Sequence, residues 1–423
     1  MDENPDAAQT KPPDGASARA SLVGWFDLND ALNTPRGSPT IDHTAANRRA
    51  LITARGLQVA FDPERVRVAF TADSLTVIIG EPRNEDFESV AAAEINHRLA
   101  QSDHSEPASW LRGHFSVVHI NLKSSCCLLV SDRFSVFRLC YGSDGKRFAF
   151  ADRADAVPVS ARTIDPQAVY NYLYFHVIPA PRTIFREVLR LEPATQLNAD
   201  QRGIRSAPTW SVAFGNAAGF DSRVAAERFR SLLRAAVKRE MSSTRVGAYL
   251  SGGTDSSTVA GMLTQITQDR VDTFSIGFEA VGYDEMAYAR IAAKHFDTRH
   301  HEYYVTPADV ALAIPIIAAG YDQPFGNSSA VPAFFCAKMA HDHGITRLLA
   351  GDGGDELFGG NVRYARQKLL ELYHAVPPSF RARLIEPLLL GSTRIGKLPL
   401  LRKAASYVEQ ARTPMPKRAE FYN

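Results

Sequence analysis

Leu250, Ser251, Gly252, Gly253, Thr254, Asp255, Ser256 and Ser257 run consecutively and bring together the groups that hold a polyanion. Gly252 and Gly253 let backbone amides approach an anion with no Cβ in the way, and the serines add hydroxyl donors. The text that follows, STVAGMLTQI, reads as a helix whose N-terminus places partial positive charge at the same spot. The chemistry this spacing supports is a phosphate cradle. A Walker loop's lysine is absent and an acid, Asp255, sits inside, which points to a metal ion as the source of the missing positive charge. The plainer reading is a polar turn with an N-cap.

About a hundred residues on, Leu348-Leu349-Ala350-Gly351-Asp352-Gly353-Gly354-Asp355-Glu356 sets three acidic side chains among three glycines, again straight after an apolar run. Such a loop is a poor plain connection and a good way to hold Mg²⁺ beside a triphosphate. Two loops of this kind on neighbouring strand ends face one another across a cleft.

The elements that must position them are legible after about Pro208, where helices of apolar period 3.6 alternate with short apolar strands, as in RVAAERFRSLLRAAVKREM followed by VGAYLSGG. Strands are expected at Val246 to Leu250, Thr273 to Phe278 and Arg347 to Ala350. Alternation of this kind means a parallel sheet covered on both faces, with sites at the carboxyl ends of its strands. From Leu22 to about Leu197 the text is instead strand-rich, with runs at Leu75 to Gly80, Phe115 to Leu122, Cys126 to Ser131 and Arg147 to Ala151. The second and third runs are expected to form a hairpin across Lys123, Ser124 and Ser125, and Asp144-Gly145 to turn a third antiparallel strand. The fold class expected is α/β: a layered α+β domain followed by a parallel-sheet domain. Boundaries are placed at a disordered tail over 1–20, a first domain over 21–205 and a second over 206–423.

Composition narrows the partners. With 45% hydrophobic and 22% charged residues the chain is ordinary for a globular protein, and 48 basic against 46 acidic residues leave no field that favours nucleic acid or anionic lipid. Small molecules are expected instead. No run of about 18 apolar residues occurs, so no membrane partner is expected. Cys126, Cys127, Cys140 and Cys336 lack zinc or disulfide spacing, and the N-terminus lacks a signal-peptide pattern, which fits a cytoplasmic location.

Four blocks, LSGGTDSS, SIGFEAVGYDEMAYARIAAKHFDTRHHEYYVT, DQPFGNSSAVP and LLAGDGGDELFGG, resemble in order and spacing the synthetase domain of the glutamine-dependent asparagine synthetases, over roughly Val246 to Tyr364. More loosely, LRGHFSVV, LLVSDRFSVFRLCYG, FAFAD, IDPQAVYNYL and PAPRTIFREVLRLEPA resemble the end of that family's glutaminase-type domain and its junction. The resemblance implies an Ntn-hydrolase-like domain followed by a PP-loop ATP pyrophosphatase domain. It implies that Ser251, Gly252, Gly253, Asp255, Ser256 and Ser257 hold pyrophosphate and that Asp255 and Asp355 ligate Mg²⁺. Leu250, Ile276 and Gly351 would line the adenosine site through backbone contacts. Asp352 lies where the family places an acid near the activated substrate, and Ala350 where Ser is frequent. The implied activity is ATP-dependent amide formation through an acyl-adenylate, with aspartate as carboxylate and ammonia or glutamine as amine donor. A homodimer or a peptide substrate is a further expectation.

Two departures accompany the resemblance. Glutamine-hydrolysing members carry Cys after the initiator Met, whereas position 2 here is Asp, and their Asn-Gly-Glu block is replaced by Ile79-Gly80-Glu81-Pro82. The four cysteines read as core residues. The family also continues past the second loop into helices carrying a catalytic Lys, so the synthetase domain is expected to be incomplete at Asn423; Lys397, Lys403 and Lys417 read as surface lysines. Alternatives to asparagine synthesis are therefore intramolecular amide closure, as in β-lactam synthetases and lasso peptide cyclases, or an incomplete, non-catalytic partner chain.

Other candidates carry less. His300 and His301 are adjacent on a strand and cannot share one ion; His341 and His343 sit at a helix end. Asp322, Asn327 and Ser328 read as loop groups that orient substrate, or as an Asx-type turn; Asp284 reads as a helix cap or a substrate contact. The missing thiol predicts that the purified chain releases no glutamate from glutamine; release above a no-enzyme control overturns that expectation.

Overall fold

The computed structural model describes residues 20–28, 39–42, 49–54, 56–102, 108–213, 221–241, 245–267, 269–279, 284–390, 399–414 and 418. Of the expected tail all but residue 20, and Lys397 and Lys417, lie outside them. The chain divides into two compact units, residues 1–225 with 306–334, and 226–305 with 335–423.

In the first unit the strands are β1 (Leu22–Asp27), β2 (Thr40–Asp42), β3 (Ala50–Ala54), β4 (Leu57–Phe61), β5 (Val66–Phe70), β6 (Ser74–Arg83), β7 (Arg112–Asn121), β8 (Cys126–Ser131), β9 (Cys140–Ser143), β10 (Arg147–Ala151), β11 (Leu189–Arg190), β12 (Thr195–Asp200) and β13 (Gly203–Pro208). Among the described residues they make two antiparallel sheets, ordered β11-β9-β10-β1-β4-β3-β2 and β13-β12-β8-β7-β6-β5. Alternation decides what lies between them. On β6, Leu75, Val77 and Ile79 meet Phe26, Phe148 and Phe150 of the other sheet, while Ile78 faces helix α1 (Ala92–Gln101), which contributes Ile95 and Leu99. Strands buried on both faces explain why these runs read as continuous apolar text rather than as alternation.

The β7–β8 hairpin closes as its turn residues dictate: the side-chain Oδ1 of Asn121 accepts from the amides of Lys123 and Ser124, each at 3.0 Å. The Asp144-Gly145 turn also forms, with Gly145 at φ +86°, but β9 and β10 pair in the other sheet from β7 and β8. Turn chemistry specifies a hairpin and says nothing of which sheet receives it.

Segment 306–334 belongs to this unit through a charged anchor. Asp322 is buried, pairs with Arg138 and Arg190 at 3.3 Å each, and accepts from the Ala154 amide at 2.9 Å. Arg153 donates to the carbonyls of Gly320 and Tyr321 at 2.8 and 2.9 Å. Asp322 is therefore committed to holding its loop, not to orienting a substrate, and Asn327 accepts from the Ser329 amide at 2.9 Å as an Asx-type turn.

Helix α2 (Pro166–Phe175) lies in the first unit, and the second unit carries helix α3 (Ser222–Glu240, entered from the first unit), β14 (Val246–Tyr249), α4 (Thr254–Thr267), β15 (Asp272–Phe278), α5 (Met286–His295), β16 (Arg299–Val305) and β17 (Arg347–Leu349). All four strands are parallel, in the order β16-β15-β14-β17. The expected strands at Val246, Thr273 and Arg347 stand within a residue of these bounds. At the amino ends of the strands Asp272 gathers Arg299 at 3.0 Å, Arg245 at 3.2 Å and His301 at 3.0 Å. His300 turns the other way, to the Thr273 hydroxyl at 3.0 Å, as adjacent strand residues must. Hydrogen bonding from Arg299, helped by His301 and opposed by burial, holds the Asp272 carboxyl at about 2 against an ordinary 3.8.

A carboxyl lowered by folding stabilises the fold above its unfolded pKa and loses that contribution as pH falls through the folded value. The second unit is therefore expected to lose on the order of 1–2 kcal/mol between about pH 4 and pH 2, a figure reduced for the exposure of Arg245 and Arg299. Asp272→Asn should lack that component. Denaturant midpoints across the interval test it, and parallel pH profiles for the two proteins would exclude the role.

Candidate active site

β14 lies between β15 and β17, so the strand order reverses beside it, and β14 pairs with β17 from Val246 opposite Arg347 to Ala248 opposite Leu349. The chain segments leaving these two strands consequently emerge side by side at the carboxyl edge, where open parallel sheets bind ligands. They are the two glycine loops.

The first loop is internally braced. The Ser256 hydroxyl lies 2.9 Å from that of Ser251 and accepts from the Ser251 amide at 3.2 Å, so these serines shape the loop. The Ser257 hydroxyl is buried with no hydrogen-bond partner among the described residues, a state that costs about 1–3 kcal/mol unless a ligand relieves it. Gly252 sits at φ +84° with the backbone of Tyr288 and Ala289 against it, leaving no room for a side chain. Behind the loop α4 begins at Thr254, and its first-turn amides have no partner within the helix.

The second loop is pressed onto the first. A Cβ on Gly351 would lie 2.7 Å from the Asp255 carbonyl carbon and the Ser256 nitrogen, and one on Gly354 would lie 2.6 Å from the Asp255 carboxyl carbon. Asp255 thus reaches the loop that carries Asp352 and Asp355. Among the described residues none of Asp255, Asp352, Asp355 and Glu356 has an ion pair, whereas Asp272 and Asp322 are fully engaged. Asp352, Asp355 and Glu356 are exposed and Asp255 half-buried, so their charges stand in water beside the first loop. Among the described residues no group of three or more His, Cys, Asp or Glu is placed to hold a metal ion.

The backbone groups free at the strand ends follow from strand geometry. The Leu250 amide donates to the Phe274 carbonyl at 3.0 Å, the last rung between these chains, and the Leu250 carbonyl accepts from the Ser275 hydroxyl. Backbone groups of residues two apart on a strand point the same way, so the N–H and C=O of Ile276 face the gap that β14 has left. Ala350 is exposed at the end of β17. Burial, with smaller contributions from Cys336 and Asp352, raises the Tyr249 phenol, which places Asp352 within electrostatic reach of that ring.

The family model described as asparagine synthase matches residues 228–421, and that described as glutamine amidotransferase domain matches 81–210. A putative asparagine synthetase (glutamine-hydrolyzing) of Methanocaldococcus jannaschii is 34% identical over 59% of this chain and 50% of its own length. Asparagine synthetase (glutamine-hydrolyzing) 1 of Bacillus subtilis is 28% identical over 66% of this chain and 44% of its own. The chain belongs to the asparagine synthetase family. It spans about half the length of these curated relatives.

In this asparagine synthetase family member the thiols are unsuited to nucleophilic work. Burial raises Cys126 to about 11, Cys140 and Cys336 to about 12, and Cys127 well above its ordinary value, so all four are protonated at neutral pH. The Asp284 carboxylate accepts from the Met286 amide at 3.2 Å as an Asx-type turn leading into the helix, whose N-cap residue is Glu285. His343 lies 2.7 Å from the Met339 carbonyl at a helix end. Sequence reading passed over Gly354 and Ser275. Gly354 matters because the Asp255 carboxylate lies where its Cβ would be, a contact that local sequence does not reveal; Ser275 carried no signal either.

Gly354→Ala is expected to displace the Asp255 carboxylate and lower ATP–pyrophosphate exchange by about tenfold or more with the fold retained by circular dichroism. Gly320→Ala, where nothing lies within 4 Å, serves as the control. Equal exchange in the two variants would show that the loop contact does not shape the site.

Proposed function

We propose that this chain uses ATP to activate a carboxylate and hands the acyl group to an amine, with asparagine from aspartate as the leading reaction. The observation that carries the reading is the packing of Gly351 and Gly354 onto Asp255, which joins an anion cradle to unpaired carboxylates at one sheet edge. The substrate carboxylate oxygen attacks the α-phosphorus, the bond to the β-phosphate oxygen breaks, and pyrophosphate leaves. The amine nitrogen then attacks the acyl carbon, loses a proton, and AMP departs with the C–O bonding pair. In this reading the Gly252–Gly253 backbone, the α4 amides and Ser257 bind pyrophosphate, Ile276, Leu250, Ala350 and Gly351 flank the nucleoside, and Asp352 faces the activated carboxylate.

The residues fit Mg²⁺: Asp255 and Asp355 are hard oxygen donors, and the orphaned Ser257 hydroxyl and side-chain-free cradle leave phosphate oxygens to complete the shell. When bound, the ion offsets negative charge on the leaving group. Residues 206–423 are assigned to this chemistry and 21–205 to a glutaminase-like domain. Thiols held protonated favour an amine that is not cut from glutamine by this chain: free ammonia, or an amine within the substrate itself, as in intramolecular amide closure.

Asp255→Asn and Asp355→Asn should each reduce ATP–pyrophosphate exchange by roughly a hundredfold or more while leaving the unfolding transition in place. Exchange assayed with a panel of carboxylates decides it; wild-type exchange in either variant overturns the assignment.

A further inference from the structure

A polar residue sits where helix and sheet of the first unit meet, and nothing in the proposed reaction uses it. On β6 and β7 the face toward α1 carries Ile78, Phe115 and Val117, and α1 answers with Ile95 and Leu99. Between those two apolar residues stands Asn96, 2% exposed, whose side-chain oxygen accepts from the Thr76 hydroxyl at 2.8 Å. Thr76 lies opposite His119 across the strands, and its hydroxyl is 2.8 Å from the His119 Nδ1. Since Thr76 donates to Asn96, its oxygen accepts from His119, which fixes the proton on Nδ1 and the amide with its oxygen inward. An apolar residue at 96 would pack here without such a network, and a buried amide left short of partners costs free energy.

The other end of that amide has a place to go. Asn96 lines a cavity of about 500 Å³, within the roughly 300–1,000 Å³ range of small-molecule sites, together with Phe70, Asp73, Ala100 and Lys123. With its oxygen taken by Thr76, the hydrogen-bonding capacity that Asn96 keeps for this space is its NH₂. At the mouth the Lys123 ammonium and the Asp73 carboxylate are 2.7 Å apart. Lysine has three N–H donors and aspartate several acceptor positions, so each can engage a ligand while keeping the other. Paired opposite charges complement a zwitterion, the Asn96 NH₂ offers donors to an acceptor oxygen, and Phe70 and Ala100 suit apolar carbons.

We propose that this cavity binds a free α-amino acid whose side chain ends in an amide or carboxylate, its ammonium on Asp73, its α-carboxylate on Lys123 and its side-chain oxygen on the Asn96 NH₂. The site stands on residues 69–123 and is independent of the ATP reading.

The test uses the full chain and a local readout, because an amino acid can also bind elsewhere on it. Hydrogen–deuterium exchange is followed over 69–74 and 92–101 while L-asparagine, L-aspartate, L-glutamine, L-glutamate or L-alanine is titrated. Saturable protection of both segments by at least one of the first four, and none by alanine, is expected. Asn96→Asp keeps the oxygen that Thr76 needs and replaces the donor, and Lys123→Met alters only an exposed side chain; each should weaken protection about tenfold or more. Protection by none of the four, or protection unchanged in both variants, overturns the proposal, and an equal response to alanine excludes the role of Asn96.

Discussion

The close approach of two loops, with no Cβ permitted between them, is the constraint on which the second unit depends. β14 and β17 are hydrogen-bonded neighbours, so their following segments start only one strand spacing apart. At that separation any side chain on Gly351 or Gly354 would occupy the volume of Asp255. Glycine at these positions is thus a requirement of distance, and the distance is a requirement of the sheet. Gly252 is bound in the same way from the other side, by α5.

Charge is arranged around the sheet with a division of labour. Asp272, at the amino ends of the strands, is surrounded by Arg245, Arg299 and His301 and holds its carboxyl near 2. At the carboxyl ends Asp255, Asp352, Asp355 and Glu356 have no such partners among the described residues. The fold thus pairs the acid at one end of the sheet and leaves these four without ion pairs at the other. The serines divide likewise: Ser251 and Ser256 satisfy one another and fix the loop, and the Ser257 hydroxyl is buried without a partner among the described residues.

Much of this was legible in the residues because it is local. Strand ends at Leu250 and Ala350, the helix behind the glycines, and the turns at Lys123–Ser125 and Asp144-Gly145 follow from periodicity and turn chemistry. What was not legible depends on who meets whom. The β9–β10 hairpin joins the other sheet from β7–β8, and Gly354 matters through Asp255, 99 positions earlier in the chain. Asp322 looked like a substrate group because Pro324 and Gly326 put it on a loop; only the arrival of Arg138 and Arg190 makes it an anchor.

That anchor also constrains how the chain reaches its second loop. After β16 the chain leaves the parallel-sheet unit, and segment 306–334 packs with the first unit, tied by Asp322, by the two terminal guanidinium nitrogens of Arg153, and by the Gly326 amide on the His176 carbonyl at 2.8 Å. It then returns through the helix Ala330–Asp342 to β17 and the acidic loop. Burying Asp322 and Arg190 together is tolerable because each neutralises the other; removing one leaves an uncompensated charge and commonly costs about 3–5 kcal/mol. The strand carrying half of the candidate site is thus covalently downstream of a segment whose footing lies in the other unit. Sequence-adjacent blocks of one synthetase-like half are in this way divided between two compact units, because the contacts of residues 306–334 are made with the first unit and not with the strands that flank them in sequence.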